Sequence, residues 1–240
     1  MTAEIPAAAP EPSKRDVVVD ALMRLAGDRP WNDIDLIELA REANLTLADL
    51  RDLFPSKGAV LGAFIRRIDR QVLEGTTDDL AEEPARERVF DVMMRRLDAL
   101  APYKSAVRRI GLALRRDPLA LAALNRLAIN SQRYMLAAAG ISTEGPLGRL
   151  KLQGAVLVFG NTLETWIDDD DPSLARTMAR LDRELRRGER MLERAEDFRR
   201  ATAPFRAFGQ AMRDGRERLR RSRRGERFDD GEPTDPSAAI

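Results

Sequence analysis

Apolar residues between positions 34 and 68 recur every three or four residues, in runs separated by short polar breaks. This spacing places the apolar side chains of each run on one side of a helix. The first run predicts a helix from Ile34 to Asn44, and the second predicts a short helix from Thr46 to Pro55. The side chains of the first helix that we expect to face the core are Ile34, Leu36, Ile37, Leu39 and Ala40.

The residues at the breaks specify how these helices start and stop. Asn44 tolerates the left-handed backbone that a sharp turn between two helices requires. Thr46 is a good N-cap, and Asp49, three residues later, completes a capping box. Pro55 ends the second helix, and Ser56 caps a third. Together they predict a helix-turn-helix, and the apolar side of its third helix is expected to comprise Val60, Leu61, Phe64, Ile65 and Ile68.

Three further apolar stretches, at residues 89–100, 119–139 and 150–167, also have helical spacing, so we predict an all-α protein. Met and aromatic side chains adapt to flexible apolar ligands, which makes those in or beside the first two stretches candidates for a ligand pocket. The candidates are Met93, Met94, Tyr103, Leu127 and Tyr134. The alternative is that these side chains only pack the core, as helical apolar stripes usually do.

The C-terminal part of the chain combines an apolar helix face with a basic end. Phe205, Phe208 and Met212 fall on one side of a helix, and eight arginines follow between residues 213 and 227. A helix of this kind binds an anionic membrane surface or a nucleic acid.

Four consecutive aspartates, Asp168 to Asp171, are the densest group of carboxylates in the chain. Consecutive carboxylates diverge, whereas Ca²⁺ or Mg²⁺ needs ligands that converge from spaced positions, so we predict no metal site. Asp171 and Pro172 are instead typical of the N-cap and first position of a helix.

Composition excludes several kinds of chemistry. The 240 residues include no histidine and no cysteine, which excludes disulfides, thiolate metal sites, His-based acid–base catalysis and ordinary zinc hydrolase sites. We therefore expect neither an enzyme nor a cofactor. The lack of cysteine is compatible with the reducing cytosol, and the N-terminus lacks the apolar run of a signal peptide, so we expect a cytoplasmic protein.

The helix-turn-helix residues resemble those of the TetR-type transcriptional regulators. The matching residues are Leu39-Ala40, Ala43 to Thr46, Leu50, Leu53-Phe54, Ser56 to Gly58 and Leu61. The resemblance implies a homodimer that binds operator DNA through the second helix of the unit and responds to a small apolar effector. The residues to which it assigns DNA contact are Thr46, Leu47, Ala48, Arg51 and Lys57.

TetR-type proteins pair through their last large helices, so the resemblance also implies a dimer interface within residues 150–167 and the helix that starts near Ser173. The interface candidates are Val156, Phe159, Leu163 and Trp166. An ordinary core helix is the alternative, because the apolar residues of this stretch lie on more than one side.

The charge of the helix-turn-helix is unusual for a DNA-binding unit. Between Asp28 and Arg70, seven Lys or Arg residues stand against eight Asp or Glu residues. Neutralisation of phosphates supplies most non-specific DNA affinity, so DNA binding here must rely on Arg51, Lys57 and few other cations.

The second half of the chain also resembles the coenzyme Q biosynthesis accessory proteins, which share a TetR-like fold. The matching residues are Arg96, Leu97, Leu100, Pro102 and Tyr103, followed by Trp166 and Asp168 to Pro172. This resemblance implies a protein that binds lipids and presents them to membrane-bound enzymes, with Phe205, Phe208 and Met212 at the membrane. It is the alternative to the regulator.

Four regions are predicted from these patterns. They are a flexible arm at residues 1–13, a helix-turn-helix domain at 14–72, a helical ligand-binding and dimerisation domain at 80–200, and a basic amphipathic extension with a disordered tail at 201–240.

Overall fold

The computed structural model of the chain describes residues 13–76 and 82–225, and beyond residue 201 it describes the backbone alone. These residues form an all-α fold, as predicted. The helices are α1 (Lys14–Asp28), α2 (Leu36–Glu42), α3 (Leu47–Leu53), α4 (Lys57–Glu74), α5 (Ala85–Leu100), α6 (Lys104–Leu114), α7 (Pro118–Ala138), α8 (Gly148–Ile167) and α9 (Ala175–Gly225).

The chain divides into two compact units, residues 1–189 and residues 190–240, and the division falls within α9. The first unit contains α1 to α8 and the beginning of α9. The second unit contains the rest of α9, in which Phe205, Phe208 and Met212 belong to the part whose side chains are not described. The membrane-contact role of those three residues therefore lies outside the described side chains and stays a prediction, as do the four regional boundaries.

The turn residues of the helix-turn-helix behave as predicted. Asn44 has a φ of 53°, in the left-handed region, and it joins α2 to α3. Thr46 and Asp49 form a reciprocal capping box at the start of α3. The Ser56 side chain accepts a hydrogen bond from the backbone N–H of Ala59 at the start of α4. Local side-chain chemistry thus fixes both helix starts.

The predicted core face of α2 needs a correction. The helix starts at Leu36, with Asp35 as its N-cap, so Ile34 reaches the core from the segment before the helix. Leu39 and Ala40 in the second turn are buried, whereas Leu36 is exposed and Ile37 is 59% exposed. A helix of only seven residues is covered mainly at its second turn, so its first turn stays on the surface.

Helix α4 is shared by the two halves of the first unit. It packs against α1 on one side and against α5 and α7 on the other. Its buried residues are Val60, Leu61, Gly62, Phe64, Ile68, Asp69 and Val72. Asp69 is therefore a carboxylate within an otherwise apolar stripe.

The start of α9 differs from the prediction that Asp171 and Pro172 would begin it. The helix begins at Ala175, after Leu174, whose φ is 50°. Asp169, which is buried, accepts hydrogen bonds from the backbone N–H of Thr177 at 2.9 Å and from its hydroxyl at 2.7 Å. Asp169 thus satisfies an N–H in the first turn of α9, because the chain folds back over this turn before the helix begins.

The length and hydropathy of the helices bear on membrane insertion. In the part of the chain that the structure describes, no helix is both long enough and apolar enough to cross a membrane.

Candidate functional site

Helix α3 presents most of the predicted DNA-contacting residues on its outer side. Leu47, Ala48 and Arg51 are exposed there, as is Thr46 just before the helix. Leu50, on the opposite side, is fully packed in the core. Leu50 therefore anchors the helix to the core, and the exposed residues on the other side are available to a partner.

The Thr46 side chain is already engaged within the protein. Its hydroxyl lies 2.5 Å from Asp49 Oδ2, and it accepts a hydrogen bond of 3.1 Å from the Asp49 backbone N–H. The hydrogen bond from the Thr46 hydroxyl lowers the pKa of the Asp49 carboxyl. Asp49 is thus a capping carboxylate, and it adds a fixed negative charge beside the first turn of α3.

Lys57 is also engaged within the protein. Its ammonium donates to the carbonyl oxygens of Trp31 at 2.5 Å and Ile34 at 2.7 Å, and it lies 4.5 Å from the centre of the Trp31 ring. Partial burial lowers its pKa, against the opposing effect of Asp33 and Asp35. Lys57 therefore joins the start of α4 to the segment before α2, and its ammonium faces the protein.

Two cations that the sequence did not single out lie beside α3. Arg15, at the start of α1, donates to the Leu53 carbonyl at 2.8 Å and stacks over the Phe54 ring at 4.3 Å. Arg41 lines an open depression of about 480 Å³ between α2 and α3. Arg15 is not recognisable from local sequence, because tertiary packing brings it to the end of α3.

The same surface is partly apolar. Three large aliphatic side chains are exposed on α2 and at the start of α3, namely Leu36, Ile37 and Leu47. Ile37 and Leu47 line the depression with Arg41 and Asp49. We call this surface, comprising Leu36, Ile37, Arg41, Leu47 and Arg51, the α2–α3 face.

The five predicted pocket residues differ in how far they are buried. Met93 is buried, Met94 is partly buried against the core, and Leu127 is partly buried. Tyr103 packs edge-on against Phe64, with 4.9 Å between the ring centres, and its hydroxyl accepts from Arg67. Tyr134 is exposed on the outer side of α7, because the buried side of this helix consists of Ser131, Gln132, Met135 and Leu136. Tyr134 therefore does not belong with the pocket residues.

The predicted dimer-interface residues also separate. Phe159 is buried and Trp166 is only 2% exposed, because α8 packs that side against α5, α6 and α7. A partner chain cannot contact side chains that the chain's own core encloses, so these two residues are core. Val156 and Leu163 are half-buried. The exposed apolar residues of α8 are Leu150 and Leu157 instead.

Two of the four consecutive aspartates, Asp168 and Asp170, pair with basic side chains. Arg108 pairs with Asp168 at 3.1 Å, and Lys104 donates to the backbone carbonyl of Asp169 at 2.6 Å. Within the described ranges, no three His, Cys, Asp or Glu side chains are arranged as a metal-binding group.

A buried charged cluster was missed at the sequence level. Asp69 of α4, Arg96 of α5 and Ser131 of α7 meet in the interior, with the Arg96 guanidinium over the Phe159 ring of α8. Burial raises the pKa of Asp69, and Arg96 and Ser131 oppose that shift. Each residue sits in a helical stripe whose spacing alone predicts ordinary packing.

No protein-family model matches the sequence, and no curated protein matches it significantly. Solved structures of similar fold include a TetR transcriptional regulator from Nitrosomonas europaea ATCC 19718, with 21% identity and a TM-score of 0.59, which covers 73% of this chain and 97% of that one. A TetR transcriptional regulator from Rhodococcus sp. RHA1 is 20% identical with a TM-score of 0.52, covering 73% of this chain and 94% of that one. The chain therefore has a TetR-like fold.

Replacing Lys57 with methionine should destabilise the protein by about 1–3 kcal/mol, because two carbonyls lose a charged donor in a partly buried site. Urea unfolding followed by circular dichroism at fixed protein concentration measures this. The matched control is Lys14→Met on the exposed start of α1, for which we expect a change within about 0.5 kcal/mol. Equal effects of the two substitutions would contradict the structural role of Lys57.

Proposed function

We propose that this chain is a transcriptional regulator that binds operator DNA as a homodimer, with an affinity that a small apolar effector changes. The observation that carries the proposal is the geometry of α3, which is anchored by Leu50 and by its capping box and presents Leu47, Ala48 and Arg51 outward. The second helix of such a unit lies in the major groove, where exposed side chains near its start reach base edges.

The two cations of the α2–α3 face and the neighbouring Lys57 have different roles in this proposal. Arg51 is the DNA-contacting cation of α3, because its side chain is exposed on the outer side of the helix. Arg41 lies across the depression and is placed to approach phosphate. Lys57 supports binding indirectly, since its ammonium holds the segment before α2 in place.

The homodimer is proposed through an exposed stripe of α8 that includes Leu150, Gly154, Leu157 and Gly160. Leu157 is 58% exposed, and a methyl group added to either glycine would meet no atom of the described residues within 4 Å. A glycine within a helix costs about 1 kcal/mol relative to alanine. Small residues beside exposed leucines let a second helix approach closely, so a second copy of the chain is the occupant that we propose.

A lipid-presenting accessory factor is the second candidate, and one observation favours it. The α2–α3 face exposes Leu36, Ile37 and Leu47, and the Lys57 ammonium is turned inward. A face with three exposed aliphatic side chains and two arginines suits contact with a protein or a membrane surface better than a purely basic face would. The basic, amphipathic sequence between residues 203 and 228 supports this candidate independently.

Replacing Arg51 with alanine should weaken binding to the DNA upstream of the chain's own gene by about 1–3 kcal/mol, or roughly 5- to 150-fold. The measurement is fluorescence anisotropy at about 0.15 M salt, which screens non-specific attraction. The control is Arg70→Ala, which removes an exposed arginine from the far end of α4 and should leave the affinity unchanged. If no specific binding occurs at micromolar protein, or if both variants lose affinity equally, the regulator proposal fails.

Replacing Leu157 with glutamate should raise the dimer dissociation constant by about tenfold or more, because a carboxylate would be buried between two copies. Sedimentation equilibrium measures this constant. Leu119→Glu, on an even more exposed leucine of α7, is the control and should not change it. A monomeric wild-type protein, or a dimer indifferent to Leu157→Glu, would contradict this interface.

Under the second candidate, the protein should sediment with anionic liposomes. Deletion of residues 203–228 should abolish sedimentation, and Ile37→Asp should weaken it, because each removes apolar contact with the bilayer. Ala48→Asp adds the same charge on α3 without removing an aliphatic anchor, and it serves as the control. Liposome binding with these losses and without a specific DNA shift would replace the regulator by the lipid factor, whereas protein that stays in the supernatant would remove the lipid factor.

A further inference from the structure

Four helices converge on one buried ion pair. The Arg96 Nη2 atom lies 3.2 Å from Asp69 Oδ1, and the Ser131 hydroxyl donates to the same oxygen at 2.7 Å. The Arg96 guanidinium lies 4.6 Å from the centre of the Phe159 ring. Arg96 is 6% exposed and Asp69 is 7% exposed, so bulk water does not reach either charge freely. The pair thus joins α4 to α5, with α7 and α8 beside it.

This pair is incompletely satisfied. Arg96 Nε is buried without a hydrogen-bond partner in the described part of the chain, and so is Gln132 Oε1, in the residue after Ser131. Taking two charges out of water costs more than an imperfect pair recovers, and apolar residues of similar volume often serve stability as well or better. The pair is therefore weak evidence for a contribution to stability. A buried donor without an acceptor calls for an explanation, and a bound anionic group is one that supplies the missing acceptor.

An incompletely buried apolar stripe leads to this cluster along α7. None of the helix's buried residues precedes Ser131, although the preceding residues are mostly apolar. Leu124 and Leu127 lie seven and four positions before Ser131, which places all three on one side of the helix, and they are only partly buried. Leu127 packs over Gly62 of α4. The polar cluster is therefore one end of an apolar stripe about 10 Å long.

We infer that Arg96 is the anchor for the carboxylate of an amphipathic acid, whose aliphatic tail lies along Leu124 and Leu127. In the unliganded protein Asp69 occupies this anchor, and the ligand carboxylate takes its place as the acceptor for the guanidinium. The fork of an arginine binds a carboxylate in bidentate geometry and can use the Nε–H that now has no acceptor. The inference rests on the proposed function only in calling this ligand an effector.

Displacement of Asp69 from Arg96 leaves the net charge of the site unchanged if Asp69 takes up a proton. Burial already raises the pKa of Asp69, and loss of the Arg96 charge raises it further, so displacement favours uptake of a proton from solvent by this carboxyl. The Ser131 hydroxyl remains within hydrogen-bond distance of it. The ligand thus contributes the negative charge that Asp69 gives up, and α4 loses its charged link to α5. The exchange thus acts on the helix whose first residue, Lys57, holds the segment before α2.

Decanoate is the probe, and isothermal titration calorimetry with the full-length protein measures its dissociation constant near neutral pH. Asp69→Asn removes the internal competitor and should tighten decanoate binding by about fivefold or more. Arg96→Met removes the anchor and should weaken it by about tenfold or more. The uncharged 1-decanol, which has the same tail length, should bind weakly to all variants. Arg133→Met, on the exposed side of α7, is the control and should behave as wild type.

Opposite changes in decanoate affinity for Asp69→Asn and Arg96→Met distinguish a ligand anchor from a purely structural ion pair. If Asp69→Asn and Arg96→Met both weaken binding, if 1-decanol binds as well as decanoate, or if decanoate does not bind, the inference is wrong. Circular dichroism reports whether Arg96→Met is folded, and Arg96→Lys, which keeps the charge without the fork, should give an intermediate loss. Decanoate binding with the expected signs in a protein that does not bind DNA would uphold the site while removing the regulator.

Discussion

Helix α4 must bury side chains on two sides at once, and most of the first unit is arranged around that requirement. One side completes the core of the helix-turn-helix against α1, and the other packs on α5 and α7. Its first residue fastens the segment before α2, and its buried carboxylate meets the charge of α5. A displacement of this helix would disturb both cores, so the two halves of the unit are linked through its packing.

The elements that the sequence predicts well are those fixed by neighbouring residues. The turn at Asn44, the capping box of Thr46 and Asp49 and the Ser56 cap each depend on contacts within a few positions, and all three are present. The α-helical class follows from such signals and from apolar spacing, whereas the TetR-like fold was implied by the resemblance of the helix-turn-helix residues. Asp171 failed as a cap because Asp169, two residues earlier, reaches the same helix start after a change of chain direction.

The functional surfaces were harder to predict, because they depend on which side of each helix is covered. Phe159 and Trp166 look like surface anchors in a helix apolar on several sides, but three other helices cover them. Lys57 looks like a phosphate ligand, but the carbonyls that hold it come from residues more than twenty positions away. Arg96 and Asp69 meet across two helices, and neither residue's sequence neighbours indicate its partner.

The division of labour within α3 has a consequence for how this protein can change. Thr46, Asp49 and Leu50 carry the structural duties of the helix, through its cap and its buried side. Leu47, Ala48 and Arg51 point outward, and the helix does not need them in order to form. Mutation at those three positions should change the outer surface of the helix at little cost in stability. The helix can therefore keep its structure while the residues on its outer side vary.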